Sequence, residues 1–345
     1  MAPLNLRHLT LVPTPLADVP DPGDHSLVPE ILEEANKLLE SDLWTDNKTH
    51  YGGLVETAVL PVDSVTYQPR AGGEPGSSPT GEASGQGIAW HRRFSRLKAA
   101  EYGGYDQWWA ALGEQHVEQE KEYVSNLKET IDVGKSAGKK GLEFTVVVLA
   151  NADCWLKLYK LPFGATDRSF MCRVIVCSPS SSSSSKSSSS KGTSSSGTPR
   201  TYLSSKPGSR EFIVFSLPFT TDPAPSEEKK YVRGTTATCE RIREVEGGKE
   251  IEWVCASLST PGGSIPVKLS ESKMAASLAD GVPPVLDWIR RAHPPHATSS
   301  AGTPKTPTAP KVTRDLANPG GGMGRMPAHK FTLEMFQRPV QLRDY

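Results

Sequence analysis

Residues that could carry out catalysis or bind a metal are few in this sequence and poorly grouped. The G-x-S-x-G nucleophile motif, the Walker phosphate loop and the H-E-x-x-H zinc motif are all absent. His293 and His296 flank two prolines with no cysteine or carboxylate next to them, which is fewer ligands than a zinc site needs. We therefore predict no catalytic residues, no metal site and no cofactor.

His116 and Glu120 form the best acid–base pair that the sequence offers, because they lie one helical turn apart. A catalytic pair of this kind would have to converge in a cavity with shifted pKa values. His116 falls on the apolar stripe of its predicted helix, where a histidine is more often a hydrogen-bonded core residue. Binding is therefore predicted in preference to catalysis.

The composition favours a single domain in a reducing compartment. The chain has 345 residues, but its 30 glycines, 29 prolines and long serine runs leave far fewer to fold. Basic and acidic residues balance at 39 each, so no net charge favours nucleic-acid binding. The five cysteines include no C-x-x-C pair, and no apolar run resembles a signal peptide or a transmembrane helix. We expect a cytoplasmic protein.

The stretch from Tyr231 to Arg291 carries the clearest structural signals. β-branched and aromatic residues dominate Tyr231–Val245 and Ile251–Leu258, and the two glycines between these runs suit a tight turn. The two runs predict an antiparallel hairpin.

A helix with one apolar face is predicted from Met274 to Ile289. Its apolar residues recur every three or four positions, and Pro283 and Pro284 predict a kink or a restart. The face consists of Met274, Leu278, Val282, Val285, Leu286 and Ile289.

Periodicity also predicts elements in the first two thirds of the chain. The predicted helices are Val28–Ser41 and Tyr105–Leu127. The predicted strands are Leu54–Leu60, Ile88–Phe94 with a solvated basic cluster, Phe144–Leu149, Cys154–Leu161, Phe170–Cys177 and Glu211–Leu217.

Low-complexity stretches divide the chain. We predict a Pro-rich N-terminal segment at 1–27, one domain at 28–292 with disordered loops at about 69–87 and 178–209, and a low-complexity tail at 293–345. Because a strand pattern resumes after the Ser-rich loop, that loop is predicted to join two neighbouring strands. It suits phosphorylation or a neutral spacer, and the sequence does not specify its protein partners.

Five motifs stand out: Tyr159 to Phe170 with its Leu-Pro and Arg-Ser-Phe, Glu240-Arg241-Ile242, Glu252-Trp253-Val254, Pro261-Gly262-Gly263-Ser264-Ile265-Pro266, and Val282 to Trp288. These motifs resemble those of START-like (StAR-related lipid-transfer-like) domains, and most closely those of a fungal START-like family of unknown function. One departure is Thr260-Pro261, where that family often has an acidic residue.

The resemblance implies an α+β helix-grip (START-like or Bet v 1-like) fold, in which a curved antiparallel sheet wraps around the long C-terminal helix. A non-polar cavity between them would bind a lipid or other hydrophobic small molecule, with transient membrane contact. The loops Pro162–Arg168 and Pro261–Pro266 would gate entry. With the apolar pattern, the resemblance implies a lining of Phe170, Phe215, Trp253, Cys255, Leu278, Val282, Val285 and Leu286.

Related pockets keep a charged or polar group inside, which implies polar anchors among Arg168, Arg173, Arg233, Glu240 and His116. A buried charge must be paired. Strand alternation does not decide which of them face inward, since a glycine at 234 can introduce a bulge. Rim positions or surface salt bridges are the alternative for the four charged residues.

Two other functions stay open at this point. A small-molecule enzyme of the same superfamily would use a polar cavity with paired acids and bases. An interaction scaffold would have a filled core and would recruit partners through its Ser-rich loop and tail.

Overall fold

The structure is a computed structural model that describes residues 2–19, 27–68, 87–114, 116–136, 148–160, 166–179 and 209–292. The predicted tail at 293–345 lies outside the described residues. The predicted loops at 69–87 and 178–209 also lie outside the described residues, apart from residue 87 and residues 178, 179 and 209. Residues 162–165 of the first predicted gate lie outside them as well.

The described residues form twelve strands, and the five longest lie after residue 147. The twelve strands are β1 (Leu4–Leu6), β2 (Thr14–Pro15), β3 (Thr45–His50), β4 (Val55–Leu60), β5 (Val65–Tyr67), β6 (Trp90–Lys98), β7 (Leu127–Asp132), β8 (Val148–Tyr159), β9 (Arg168–Pro179), β10 (Glu211–Thr220), β11 (Val232–Val245) and β12 (Glu250–Thr260).

Seven α-helices accompany these strands in the described part of the chain. They are α1 (Leu27–Leu39), α2 (Ala99–Tyr102), α3 (Tyr105–Leu112), α4 (His116–Gln119), α5 (Val133–Ser136), α6 (Val267–Asp280) and α7 (Val282–Ala292).

One large sheet dominates the fold. Its strand order is β3-β4-β6-β12-β11-β10-β9-β8-β7, and every neighbouring pair in this order is antiparallel. The short β2 adds to β10, and β1 pairs separately with β5. Helix α6 lies against β4 and β6, and α7 closes the core on the same side. The predicted α+β helix-grip class is confirmed.

The start of β11 pairs directly with the start of β9, in parallel, through Val232–Gly234 and Arg168–Phe170. These two strands are otherwise separated by β10, whose pairing with β11 ends at Ser216. The three strands therefore converge at this end of the sheet.

The predicted hairpin is confirmed. β11 and β12 pair in unbroken register from Thr235 with Thr260 to Val245 with Glu250. The turn includes Gly247 with φ 64°. This left-handed conformation is one that glycine adopts without strain.

The predicted interruption of the C-terminal helix is also confirmed. Helix α6 ends at Asp280 and α7 begins at Val282, so Pro283 and Pro284 fall in the first turn of α7. Proline is tolerated there because first-turn N–H groups have no partner within the helix.

Two cores lie on opposite faces of the sheet. The outer core contains α1, the N-terminal segment and the outward side chains of the central strands, and the inner core contains α3 and α7. In β10, Phe212 and Val214 belong to the inner core while Ile213 and Phe215 belong to the outer core. This division follows from the two-residue period of a β-strand.

Residues of the N-terminal segment pack into the outer core. Leu6, Leu9 and Leu11 are buried there beside α1. The Glu34 carboxylate of α1 accepts hydrogen bonds from the backbone N–H groups of Arg7, His8 and Leu9, at 2.9, 3.0 and 3.1 Å. The Pro-rich segment placed before the domain is thus attached to it by a buried carboxylate.

The predicted single helix Tyr105–Leu127 is wrong. α3 ends at Leu112, α4 and a 3-10 turn follow, and Leu127 already begins β7. Gly113 packs so tightly that an added Cβ would lie 2.3 Å from the Trp109 ring. The helical pattern continues across this break, which is why periodicity missed it.

Two further predictions need correction. Residues 154–159 of the predicted strand Cys154–Leu161 and the described end of Phe144–Leu149 belong to one strand, β8. The basic cluster of Ile88–Phe94 is not solvated, because His91 and Arg93 are buried.

We expect Glu34→Gln to lower the free energy of unfolding by roughly 2 kcal/mol. The amide would place an N–H₂ group against backbone N–H donors and lose the charge-assisted bonds. Urea denaturation measures the loss. Glu33→Gln, one position earlier in an exposed ion pair with Lys37, is the control and should change stability by less than about 0.5 kcal/mol. Equal effects of the two variants would contradict the role of Glu34.

Candidate functional site

A cavity of about 320 Å³ lies between the inner face of the sheet and helices α6 and α7. Along β12 its wall runs through Trp253, Cys255, Ser257 and Ser259 to Pro261. These residues alternate, as expected for one face of a strand. Further lining residues come from five other strands and from the segment between α3 and β7. The strands are β6, β8, β9, β10 and β11.

Five of the predicted lining residues are at this cavity: Phe170, Trp253, Cys255, Leu278 and Val285. Val282 and Leu286 are buried in the inner core next to it. The orientation predicted for Phe215 is wrong, because this side chain lies in the outer core on the other face of the sheet. Its neighbour Ser216 lines the cavity instead.

A buried ion pair joins β6 and β11 at the cavity wall. Arg93 Nη2 donates to Glu240 Oε1 at 2.5 Å, and Trp253 Nε1 donates to the same oxygen at 2.7 Å. The Arg93 guanidinium lies 3.8 Å from the centre of the Trp253 ring, where the ring face attracts a cation. The Glu240 charge is therefore held by two donors, and the ring also shields Arg93 from solvent.

A second buried ion pair joins Lys157 of β8 to Glu120, with 2.5 Å between Lys157 Nζ and Glu120 Oε2. Burial alone would lower the pKa of Lys157, but the Glu120 carboxylate outweighs it and the pKa is raised. The Tyr159 hydroxyl donates to Glu120 Oε1 at 3.4 Å. Both members of the pair line the cavity.

His116 stands beside this second pair. A hydrogen bond of 3.1 Å links its Nδ1 to the Leu112 carbonyl, which can only accept, so Nδ1 carries the proton. Burial and, less strongly, the charge of Lys157 lower the pKa of His116. The imidazole is therefore neutral at physiological pH, with Nε2 as an acceptor.

The other predicted anchors divide between the cavity and the sheet edges. Arg168 is buried at the cavity, where its Nε donates to the Pro261 carbonyl at 2.8 Å and its Nη1 donates to the Thr166 carbonyl. Arg173 lies on the outer face beside Phe219, and Arg233 is paired with Glu228 away from the cavity. Arg173 and Arg233 are therefore not cavity anchors.

The remaining titratable groups of the wall are kept neutral. Burial raises the pKa of the Cys172 thiol to about 11 and that of Cys255 to about 12. Burial likewise raises the pKa values of Tyr123 and Tyr159 well above the ordinary value of a tyrosine. These groups can therefore offer hydrogen bonds but not thiolate or phenolate nucleophiles at neutral pH.

Three hydroxyl side chains lie side by side across the cavity wall. Ser216 of β10 pairs with Thr238 of β11, and Thr238 pairs with Ser257 of β12. We call these three residues the hydroxyl row. Sequence reasoning missed it, although Ser216 is the one polar residue in the apolar run FIVFSL and could have marked the inner face.

A family model described as "Protein of unknown function (DUF3074)" matches residues 90–289, which is more than half of the chain. The chain belongs to this family. The match begins at the first residue of β6 and ends within α7, so it contains every strand and helix that lines the cavity of this DUF3074 protein.

Solved structures similar to the DUF3074 protein are StAR-related proteins. Human STARD10 is 13% identical over 77% of this chain and 83% of its own, with a TM-score of 0.47. Human StAR-related lipid transfer protein 5 is 10% identical over 78% and 97%, with a TM-score of 0.47. The STAR-related lipid transfer protein fragment from Xanthomonas axonopodis is 14% identical over 72% and 99%, with a TM-score of 0.40.

No curated protein matches the DUF3074 chain. Among its described residues, no helix has both the length and the apolar character needed to span a bilayer.

We expect Glu240→Gln to destabilise the DUF3074 protein by about 3 kcal/mol, because it leaves the buried Arg93 cation without its counter-charge. Chemical denaturation monitored by tryptophan fluorescence measures the change. Glu250→Gln is the matched control, since Glu250 of β12 also pairs with an arginine of β6, Arg96, but in a more exposed position. It should cost less than about 1 kcal/mol. A Glu240→Gln variant as stable as the control would contradict the importance of the buried pair.

Acidification should destabilise the DUF3074 protein partly through His116. The unfolded chain protonates this histidine near pH 6.5, whereas the folded protein, with its lowered pKa, resists protonation. The unfolded state thus binds more protons, and stability falls as the pH drops below about 6.5.

His116→Gln should therefore lose less stability than the wild type between pH 7.5 and 5.5, by up to about 1 kcal/mol. Urea midpoints measured across this range test the difference. Parallel pH profiles for the two proteins would show that His116 does not contribute.

Proposed function

We propose that this protein binds a small hydrophobic molecule with a polar group in the cavity, without converting it chemically. The observation that carries the proposal is the cavity itself, enclosed between the sheet and the C-terminal helices. Apolar walls with a few convergent polar groups are typical of ligand sites. Phe170, Trp253, Leu278 and Val285 supply the apolar surface.

The cavity volume limits the size of the ligand. A volume of 320 Å³ is near the lower end of ordinary ligand sites and equals that of about ten liquid water molecules. One compact hydrophobic molecule suits this space. Removing about 200 Å² of its apolar surface from water would contribute about 5 kcal/mol toward binding.

The charges around the cavity also suit binding. Arg93 with Glu240, and Lys157 with Glu120, form two pairs of opposite sign. The third cation of the wall, Arg168, donates to two backbone carbonyls. Each pair is already hydrogen-bonded and is therefore a fixed dipole that a ligand hydroxyl or carbonyl could approach.

These observations bear differently on the scaffold and the enzyme alternatives. The scaffold alternative expected a filled core, whereas the described core encloses a cavity. The enzyme alternative relies on His116 and Glu120, which both line that cavity. The fungal placement, the cytoplasmic location, transient membrane contact and transfer between membranes stay predictions, as do partners of the Ser-rich loop.

Filling the cavity should abolish binding. Leu278→Trp places a bulky ring at the cavity, whereas Ala276→Trp places the same ring on the exposed side of the same helix. Protein isolated from cells should carry a hydrophobic molecule, detected by extraction and mass spectrometry, and Leu278→Trp should carry at least about tenfold less than wild type. Ala276→Trp should carry the wild-type amount.

Thermal melting shows whether Leu278→Trp is folded, and Thr238→Phe blocks the cavity from the sheet side as a second variant. A wild-type protein that carries no ligand and takes none up from vesicles would overturn the proposal. A bound molecule that is altered on incubation with the protein would favour the enzyme alternative.

A further inference from the structure

The hydroxyl row is selectively placed on the inner face. Its members Ser216, Thr238 and Ser257 alternate along their strands with residues that pack into the outer core. Those outward neighbours are apolar: Phe215 and Leu217 in β10, Ala237 and Cys239 in β11, and Ala256 and Leu258 in β12. A sheet covered on both faces normally has apolar side chains on both, so the row interrupts that pattern on three adjacent strands.

Ser216 and Ser257 are buried and Thr238 is half-buried, and none of the three hydroxyls makes a hydrogen bond within the described part of the chain. Ser216 and Ser257 are only 8% and 5% exposed, and both line the cavity together with Thr238. Other hydroxyls of the same wall are satisfied: Ser259 donates to the Thr235 carbonyl and Thr236 to the Leu258 carbonyl. The row therefore keeps free hydrogen-bonding capacity at the cavity, as do Arg93 Nη1 and the Asn126 side-chain amide in the same wall.

An unpaired buried hydroxyl destabilises a protein, whereas alanine or valine at the same position would not carry that cost. Ser216 and Ser257, with the half-buried Thr238 between them, form a band of hydroxyls across the cavity wall. A ligand oxygen at this level would satisfy them, because a hydroxyl can both donate and accept.

We propose that the hydroxyl row selects ligands that carry an oxygen atom within their hydrophobic body, such as an internal hydroxyl or carbonyl, over the corresponding unsubstituted hydrocarbon. This inference rests on the proposed binding function and specifies its ligand class. The row lies between two charged positions of the wall, Arg168 near Pro261 and Arg93 opposite Cys255. The recognised oxygen therefore belongs to the middle of the ligand.

The test uses two probes of equal chain length, stearic acid and 12-hydroxystearic acid, offered to the full chain from phosphatidylcholine vesicles. Wild-type protein, Thr238→Val, Ser257→Ala and the control Thr235→Val are compared. Thr235 lies next to Thr236 in β11 and alternates with it, so its side chain is on the opposite face. Dissociation constants are measured by partition between vesicles and protein.

Thr238→Val should weaken binding of 12-hydroxystearic acid about tenfold, the effect of one lost hydrogen bond in a buried site. It should leave stearic acid unchanged or bound more tightly, because valine is more apolar at the same size. Ser257→Ala should shift the ratio in the same direction, and Thr235→Val should not change it. Circular dichroism and thermal melting confirm that the variants fold.

Equal losses for both probes, or an unchanged ratio in Thr238→Val and Ser257→Ala, would overturn the inference and leave the proposed function standing. Equal affinity of the wild type for the two probes would also overturn the inference and leave the proposed function standing. Absence of binding by both probes would overturn the binding function together with the inference.

Discussion

Strand alternation is the constraint on which the rest of this structure depends. β10, β11 and β12 are covered on both faces, so each must supply two different surfaces from alternating residues. Their outward residues, such as Phe215 and Leu258, fill the space under α1. Their inward residues include serines, threonines and a glutamate, which are too small or too polar to fill the space under α6 and α7. A cavity is therefore left beside the inner core, at the level of these small and polar residues.

Two buried ion pairs stabilise this inner face. Isolated charges at the cavity would cost several kcal/mol each, but Arg93 is matched by Glu240 and Lys157 by Glu120. Each pair connects elements that are distant along the chain: β6 with β11, and β8 with the segment before β7. The pairs thus fix the position of the cavity wall as well as its charge.

Local patterns were predictable from the sequence, and long-range contacts were not. The β11–β12 hairpin and the break before α7 follow from adjacent residues. The burial of Arg93 depends on Glu240, 147 residues further along the chain, so no local pattern could report it. The face of Phe215 was missed because its neighbours in β10 are apolar on both sides of the strand, which removes the usual contrast. Ser216 is polar yet points inward, contrary to the rule that polar residues face water.

The connection between β9 and β10 has a consequence for how this protein can evolve. The two strands are antiparallel and pair from Ile213 with Cys177 to Pro218 with Cys172, so the end of β9 lies beside the start of β10. The serine-rich stretch of the sequence connects these two neighbouring ends. The entropy of closing a loop grows only with the logarithm of its length. Insertions or deletions in that stretch should therefore cost little stability and leave Ser216 in register. This stretch can therefore lengthen or shorten during evolution while the cavity keeps its shape.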